Sequence, residues 1–557
     1  MKINKLILPA ILAFTLVACS DDDPQAPVTP PSSGTEDVEP ENPSTGNDEI
    51  ENVKSPLPTF GLTNETLSLN VNKTYQEMEG FGASDCWLPN TLGMYWNNTK
   101  YDMAELLFSQ TFDKEGAPRG IGLSMWRVNL GAGTAEIGEA SGISNENEFN
   151  RAESFLTDGK YNWSKAQGQQ YFMQQAKNMG VEKFVLFSNS PLVQFTKNGM
   201  GRSSGGANAN LKDDCYDDFA EYMAEVAAHF TGEGYNITAI SPVNEPQYEW
   251  NGDSQEGSPW QNKEIAQLTR ELDKSLTARG LDTEILVAEA GDWTYLYETG
   301  RNSGRDNQII NFFSTNSENY IGDLAHVKNL LCGHSYWTYP SYDEMRSVRR
   351  KVGNAASQKG LRLWQTEWSM LDAPPQGIDY GRSSDFEIAQ GMSEIIHSDL
   401  VDANCSSWSY WTAMSVANRW DHRIRFELIN TIPSSGNVYD SDFRNEGRIE
   451  DTKNLWVLGN YSLFVRPGYR RIDVGGKDTR DFFSSAFIAP DNSCVVVVVT
   501  NRDKSKGVLL NIDKPQGTKA VYTYTTSEDK NLKPERFNVK DDVFVDPSSV
   551  TTIVFKL

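Results

Sequence analysis

Two glutamates stand where short apolar runs end. Residues 237–243 are apolar and rich in β-branched side chains, and Asn244-Glu245-Pro246 follows at once. A second run closes on Leu363-Trp-Gln-Thr-Glu367-Trp368. Runs of this length read as buried strands, and Pro246 stops the first of them. A carboxylate at the carboxyl end of a buried parallel strand is where an α/β barrel gathers its reactive groups. One carboxyl that gives up a proton, facing another that attacks or activates water, is the pairing that cleaves a glycosidic bond. Other run ends add Arg127 and Asn129, then His334-Ser-Tyr336-Trp337, then Trp408-Ser-Tyr-Trp411. Aromatic rings pack on the apolar faces of sugars, while amide and hydroxyl groups bond their edges. A single tryptophan is ordinarily a core residue; fourteen in the chain, many of them at run ends, favour a sugar-lined mouth.

A repeating order of short strand, loop and amphipathic helix must carry these residues. Candidate strands fall at 80–84, 123–130, 183–189, 237–243, 284–289, 330–337, 361–366 and 405–411. Between them, Phe219, Tyr222, Met223, Val226 and Phe230 recur at helical spacing, as do Ile265, Leu268, Leu272 and Leu276 ahead of Gly280 as C-cap. Ser384 and Glu387 form a capping-box pattern opening a further helix. Strands and helices alternating in this number predict an α/β fold, a (β/α)8 TIM barrel over residues 79–466. Strands four and seven then face one another across its mouth. Beyond Pro467-Gly468 the pattern turns all-β, predicting a β-sandwich over 467–557. The alternating segment Thr66-Leu-Ser-Leu-Asn-Val-Asn72 predicts that residues 57–78 join it, so that the accessory module is built from both chain ends and buttresses the barrel.

The chain opens with Lys2 and Lys5, then an apolar run to Ala18, then Cys19. That run has secretory length and is too short to span a bilayer. Leu16-Val-Ala-Cys19 resembles a bacterial lipobox, with Cys19 as the lipidation site, and the following Ser20-Asp-Asp-Asp23 resembles the acidic signal for export to the outer cell surface. Residues 1–19 are therefore expected to be a lipoprotein signal peptide. Residues 20–56, poor in apolar side chains, cannot offset their ordering entropy and are expected to form a tether. The expected location is the outer membrane, facing outward or, as the alternative, the periplasm. A net charge of −25 disfavours nucleic acid and anionic membrane surfaces, so membrane contact is expected only through the anchor. The five remaining cysteines are scattered without a C-x-x-C pair, and the five histidines lack ligand spacing, so neither a disulfide framework nor a metal site is expected.

Taken in order, Glu79-Gly-Phe-Gly82, Trp126-Arg127, Asn244-Glu245-Pro246, His334-x-Tyr336, Thr366-Glu367 and Trp408-x-x-Trp411 resemble the family 30 glycoside hydrolases, as does Arg466-Pro467-Gly468. The resemblance runs from about Phe60 onward. It implies a barrel fused to a β-sandwich and a retaining double displacement without metal or cofactor. It also implies Glu245 as acid/base and Glu367 as nucleophile. Asn244 would bond the sugar 2-hydroxyl, Tyr336 and Arg127 would hold Glu367 ionised, and Trp411 would lie under the reacting sugar. Asp85, His334 and Trp408 count with the supporting groups.

Phe187-Ser-Asn-Ser-Pro191 and Gln255-Glu-Gly-Ser-Pro-Trp260 are most similar to the endo-β-1,6-galactanase branch. Where that branch follows Ser-Pro with two aromatics, this chain has Leu192-Val193-Gln194-Phe195. The expectation is an endo-acting, retaining β-glycoside hydrolase for β-1,6-galactan side chains, acting as a monomer on a poly- or oligosaccharide. The alternatives are the family's β-1,6-glucanase, xylanase and exo-glycosidase activities, and, in another class, a non-catalytic surface glycan-binding lipoprotein.

Overall fold

The computed structural model describes residues 53–371, 373–416, 424–436 and 441–557. Cys19, the 1–19 signal segment and all but the last few residues of the 20–56 stretch lie outside the described residues.

The apolar runs become the staves of a parallel barrel: Gly80–Ser84, Met125–Asn129, Lys183–Phe187, Ile237–Ser241, Leu330–His334, Arg362–Glu367 and Ser407–Tyr410, with the fifth stave in two pieces, Glu284–Ile285 and Val287–Ala290. The first pairs with both the second and the eighth. The first piece of the fifth pairs with the fourth and the second piece with the sixth, so closure runs through Leu286, whose N–H donates to Ile240 O at 2.8 Å. Side chains fill the lumen: Met125, Val185, Ala239, Leu286, Leu330, Cys332 and Trp364 form a buried cluster of their own. Because alternate residues of a strand face opposite ways, the intervening positions meet the helices outside.

The helices begin and end where their capping residues dictate. Gln261 and Glu264 box the start of Asn262–Arg279, and Gly280, at φ +65°, ends it in the left-handed conformation that glycine adopts without strain. Ser384 and Glu387 box the start of Asp385–Val401, which is buried along nearly its whole length because the barrel lies on one side and the accessory module on the other. Arg502 reaches across to an ion pair with buried Glu394, and Gln390 Nε2 donates to Asn501 O at 2.9 Å.

That module is one nine-stranded sheet, mostly antiparallel, wrapped about a core that includes Leu67, Ile472, Val497, Leu510 and Phe555. Its turning point is Gly61–Glu77. Residues 61–67 pair in parallel with Lys506–Ile512, and from Leu67 onward the same strand pairs antiparallel with Arg470–Gly476. The sheet is thus drawn from both sides of the barrel sequence. Three of its strands, Arg470–Gly476, Lys533–Phe537 and Val543–Val545, were not expected from the sequence. The first two carry polar or charged side chains on both faces, and the third is only three residues long.

Candidate active site

Glu245 lies four residues past the end of the fourth stave, between Pro242 and Pro246. Its φ is +40°, a conformation disfavoured for a side chain with a β-carbon and held here by its surroundings. Its N–H donates to Glu289 O at 2.9 Å, and Trp250 Nε1–H donates to its carbonyl at 3.0 Å. Glu367 is the last residue of the seventh stave. Pairing with the sixth stave steps from Gly333 opposite Gln365 to His334 opposite Glu367, leaving Thr366 as an extra residue. Such a bulge re-aims the side chain that follows it. Glu367 is thereby turned toward the mouth, although Trp364, three positions earlier, fills the lumen.

Arg127 organises the floor of the site. Nη1 donates to Glu367 Oε2 at 2.7 Å and to Ser84 Oγ at 2.9 Å, and Nη2 donates to Asn244 Oδ1 at 3.2 Å. The guanidinium lies 3.6 Å above the Phe187 ring, an arrangement that packs a desolvated cation while leaving its edge free to donate. Tyr336 donates its hydroxyl to the other oxygen of Glu367 at 3.1 Å. His334, fully buried, sits between two carboxyl groups: Nδ1 is 2.9 Å from Glu245 Oε1 and Nε2 is 2.9 Å from Glu289 Oε2. One oxygen of Glu245, one of Glu367 and a ring nitrogen of His334 all lie within 4.8 Å of one another.

Electrostatics separates the carboxyl groups. Burial pushes Glu245 up to about 7, and the nearby Glu367 charge adds to this, against the opposing pull of His334. Burial also disfavours ionisation of Glu289, but Arg127 first, then His334 and the Thr366 hydroxyl, hold it well below the usual carboxylate range. For His334, burial disfavours the imidazolium; the surrounding Glu367, Glu245 and Glu289 overcome this and drive it strongly upward.

The expected residues do not all meet. Glu245, Glu367, Arg127, Asn244, His334 and Tyr336 form one hydrogen-bonded cluster. Trp411 stands at the mouth, edge-on to Trp87 at 5.2 Å and beside Phe187. Asp85 lies behind the cluster, its oxygens taken by Asn129 N–H at 2.8 Å and Gln169 Nε2 at 2.7 Å, and burial raises it to about 7. Trp408 is turned away from the mouth: fully buried, it donates Nε1–H to Asp399 of the outer helix Asp385–Val401 at 3.0 Å. It shares the outward face of the eighth stave with Tyr410, while Ser407 and Ser409 point inward to Met125 Sδ.

Two polar partners, Ser84 and Glu289, escaped the sequence reading, and Thr366, quoted there only as part of a motif, was given no role. Glu289 had the strongest signal, since it closes the predicted 284–289 strand at the level of Glu245 and Glu367. Tyr248 and Trp250, which join the partly exposed Trp337 in an aromatic wall, were missed as well; Tyr248 lies 5.5 Å from Trp337 and 5.8 Å from Trp250.

A carboxyl kept protonated near neutral pH, facing within 4.8 Å a second one bound to a guanidinium, can protonate a glycosidic oxygen while the other attacks carbon. Oxygens within 4.8 Å of each other suit the close pairing of retaining glycosidases, ~5–5.5 Å, better than the ~6.5–9.5 Å gap of inverting ones.

Residues 64–424 match the model of O-glycosyl hydrolase family 30. An endo-β-1,6-galactanase from Hypocrea rufa is 25% identical over 63% of this chain and 68% of its own length. A glucuronoxylanase of Bacillus subtilis strain 168 is 23% identical over 73% of this chain and 80% of its own. Among solved structures, a conserved exported protein from Bacteroides fragilis superposes with a TM-score of 0.81 at 30% identity, covering 88% of this chain and all of that one. The barrel, its paired carboxyl groups and the family match over most of the barrel agree: the chain belongs to O-glycosyl hydrolase family 30 and is a retaining glycoside hydrolase.

Proposed function

We propose that Glu367 is the nucleophile and Glu245 the acid/base of an endo-acting hydrolysis of β-1,6-galactan. The observation that carries the roles is the contrast between two neighbouring carboxyl groups. Arg127 and Tyr336 hold the oxygens of Glu367, which suits a nucleophile that must stay ionised, whereas burial keeps the proton on Glu245. In the first step Glu367 bonds to the anomeric carbon as the carbon–oxygen bond to the leaving sugar breaks, and that oxygen takes the proton of Glu245. In the second, Glu245 removes a proton from water, the resulting hydroxide displaces Glu367, and Glu245 is again protonated. Asn244, oriented by Arg127, bonds the 2-hydroxyl, and the Trp87–Trp411 pair forms the floor for the reacting sugar.

The galactan reading is supported by the Hypocrea rufa relative and by the Phe187–Pro191 and Gln255–Trp260 stretches. The Leu192–Phe195 departure lies in a short 3-10 turn, Val193–Phe195, tied to Ala132 O through Val193 N–H at 2.9 Å. Incubation with β-1,6-galactan, β-1,6-glucan, glucuronoxylan and aryl β-glycosides should yield a ladder of oligosaccharides from the galactan alone. Cleavage of glucan or xylan instead would transfer the assignment to that polymer, and release of single sugars only would replace endo with exo action.

The proton on Glu245 sets a second expectation. Its pKa is raised, so the proton is present below about 7 and lost above it. On the polymer, kcat/KM should fall about tenfold per unit once pH rises past that value. A profile flat to pH 9 would remove Glu245 from the acid role.

A further inference from the structure

Beneath the two carboxyl groups assigned above lies a third that the double displacement does not use. Glu289 is fully buried at the end of the fifth stave. Its Oε2 faces His334 Nε2 at 2.9 Å and accepts the Thr366 hydroxyl, and its Oε1 lies 3.6 Å from Arg127 Nη2. Its N–H points to Cys332 Sγ at 3.4 Å, and its carbonyl holds the N–H of Glu245. Glu289 is thus joined to Glu245 through His334 and through the main chain, and to Glu367 through Arg127.

Charge balance shows what this arrangement requires. The buried charged groups in contact are Glu245, Glu289, Glu367, Arg127 and His334; around them Tyr248 faces Glu245 and the buried Tyr336 faces Glu367 as neutral phenols, and Cys332 faces Glu289 as a thiol that burial keeps neutral. Arg127 alone cannot neutralise two carboxylates. The cluster is neutral when Glu289 and Glu367 are ionised, Arg127 and His334 are cations, and Glu245 keeps its proton. An imidazolium donates from both nitrogens. Glu245 Oε1, 2.9 Å from Nδ1, must then accept, and the acid proton must sit on Oε2. A neutral ring bonded to Glu289 through Nε2–H would instead turn a lone pair on Nδ1 toward Glu245, and the acid proton would be spent on the histidine rather than offered to substrate.

We propose that Glu289 is a positioning residue for the hydrolysis: it keeps His334 doubly protonated and so directs the acid proton of Glu245 to the oxygen that faces the glycosidic bond. The inference rests on Glu245 being the acid/base.

Glu289→Gln keeps the shape and an acceptor for Nε2–H while removing the charge. On the polymer, whose leaving sugar needs a proton, kcat/KM should fall at least about tenfold. Taking a negative charge from the cluster weakens its hold on protons, so the alkaline limb should also move down by about one pH unit. On a dinitrophenyl β-glycoside of the oligosaccharide it releases, whose leaving group departs without a proton, the loss should be several-fold smaller. Glu289→Asp, which keeps the charge, should restore most of the limb; if the Gln variant does not fold, the Asp variant should still show a smaller shift of the same sign. An alkaline limb unmoved in either folded variant, or equal losses on both substrates, would overturn the proposal and leave Glu289 a packing residue. Glu245→Gln separates the two ideas. If it cripples the polymer reaction and spares the dinitrophenyl glycoside, the acid/base reading stands whatever Glu289 does; if it spares both, that reading falls first.

Discussion

Glu367→Ala should lose hydrolysis of every substrate by roughly 10⁴-fold or more, because no covalent intermediate can form without it. The protein should remain folded. Arg127, deprived of Glu367, still bonds Ser84 and Asn244 and stays 3.6 Å from Glu289, so no cation is stranded. Unfolding curves and circular dichroism close to those of the parent would verify this. Azide added to the variant should enter the space left by the carboxylate and attack from the same side, giving a glycosyl azide of inverted anomeric configuration from an activated glycoside. The same anion added to Glu245→Ala should attack after the covalent step and give the retained configuration. Parent-like turnover by Glu367→Ala, or identical azide products from both variants, would end the assignment of roles.

Asp399→Ala should be the most destabilising single change near the site, by about 3–5 kcal/mol. This carboxylate, fully buried in the helix Asp385–Val401, takes four donors. Arg349 Nε reaches Oδ1 at 2.9 Å and Trp293 Nε1 the same oxygen at 3.3 Å; Ser335 Oγ and Trp408 Nε1 reach Oδ2 at 2.7 and 3.0 Å. The donors come from the fifth, sixth and eighth stave regions and from the helix Tyr342–Gln358. Removing Asp399 strands a buried guanidinium, left with only Thr338 and a long contact to Ser335 O. Ser335 stands between His334 and Tyr336, so activity should drop along with stability. Denaturant unfolding of Asp399→Ala, Arg349→Met and the double variant measures the coupling; the double variant should recover part of the loss. A single-variant cost under about 1 kcal/mol would show that the arginine finds other partners.

Much of this was legible in the residues because barrel staves and their helices obey local rules. Buried parallel strands read as apolar runs, and all eight were placed within a few residues; the capping pairs at Ser384/Glu387 and the glycine at 280 mark helix ends by their own chemistry. Glu245 and Glu367 were singled out because strands four and seven of a barrel face one another and each run ends in a carboxylate. What escaped depends on contacts between distant segments. Trp408 looked like a ring for the mouth, but strand alternation sends it and Tyr410 outward, and only its bond to Asp399 reveals the purpose. Alternation misleads at Glu367 itself, because the bulge at Thr366 resets the count and a bulge has no sequence mark here. Glu289 was passed over although it too closes a predicted strand, because a third glutamate has no place in a two-carboxylate mechanism and its sequence gives no hint of the histidine that will meet it. The strands Arg470–Gly476 and Lys533–Phe537 escaped because polar residues on both faces erase the period-two signal.

The strand Gly61–Glu77 has a consequence for the order in which the molecule can be completed. Lys73 bonds Asp473, 400 residues away, and the same strand aligns with Lys506–Ile512 further on. Of the accessory sheet, this strand leaves the ribosome first and its partners leave last, with the whole barrel between. Local strand–helix–strand units can assemble as they emerge, since their contacts are short-range. The sheet cannot, and its first strand must wait with both edges unpaired. Polar and charged side chains such as Thr63, Asn64, Glu65, Asn70, Asn72 and Lys73 make that waiting edge a poor template for wrong partners. Closure of the sheet is therefore the final stitch: a pairing made across the finished barrel, fastening the start of the described chain to its end.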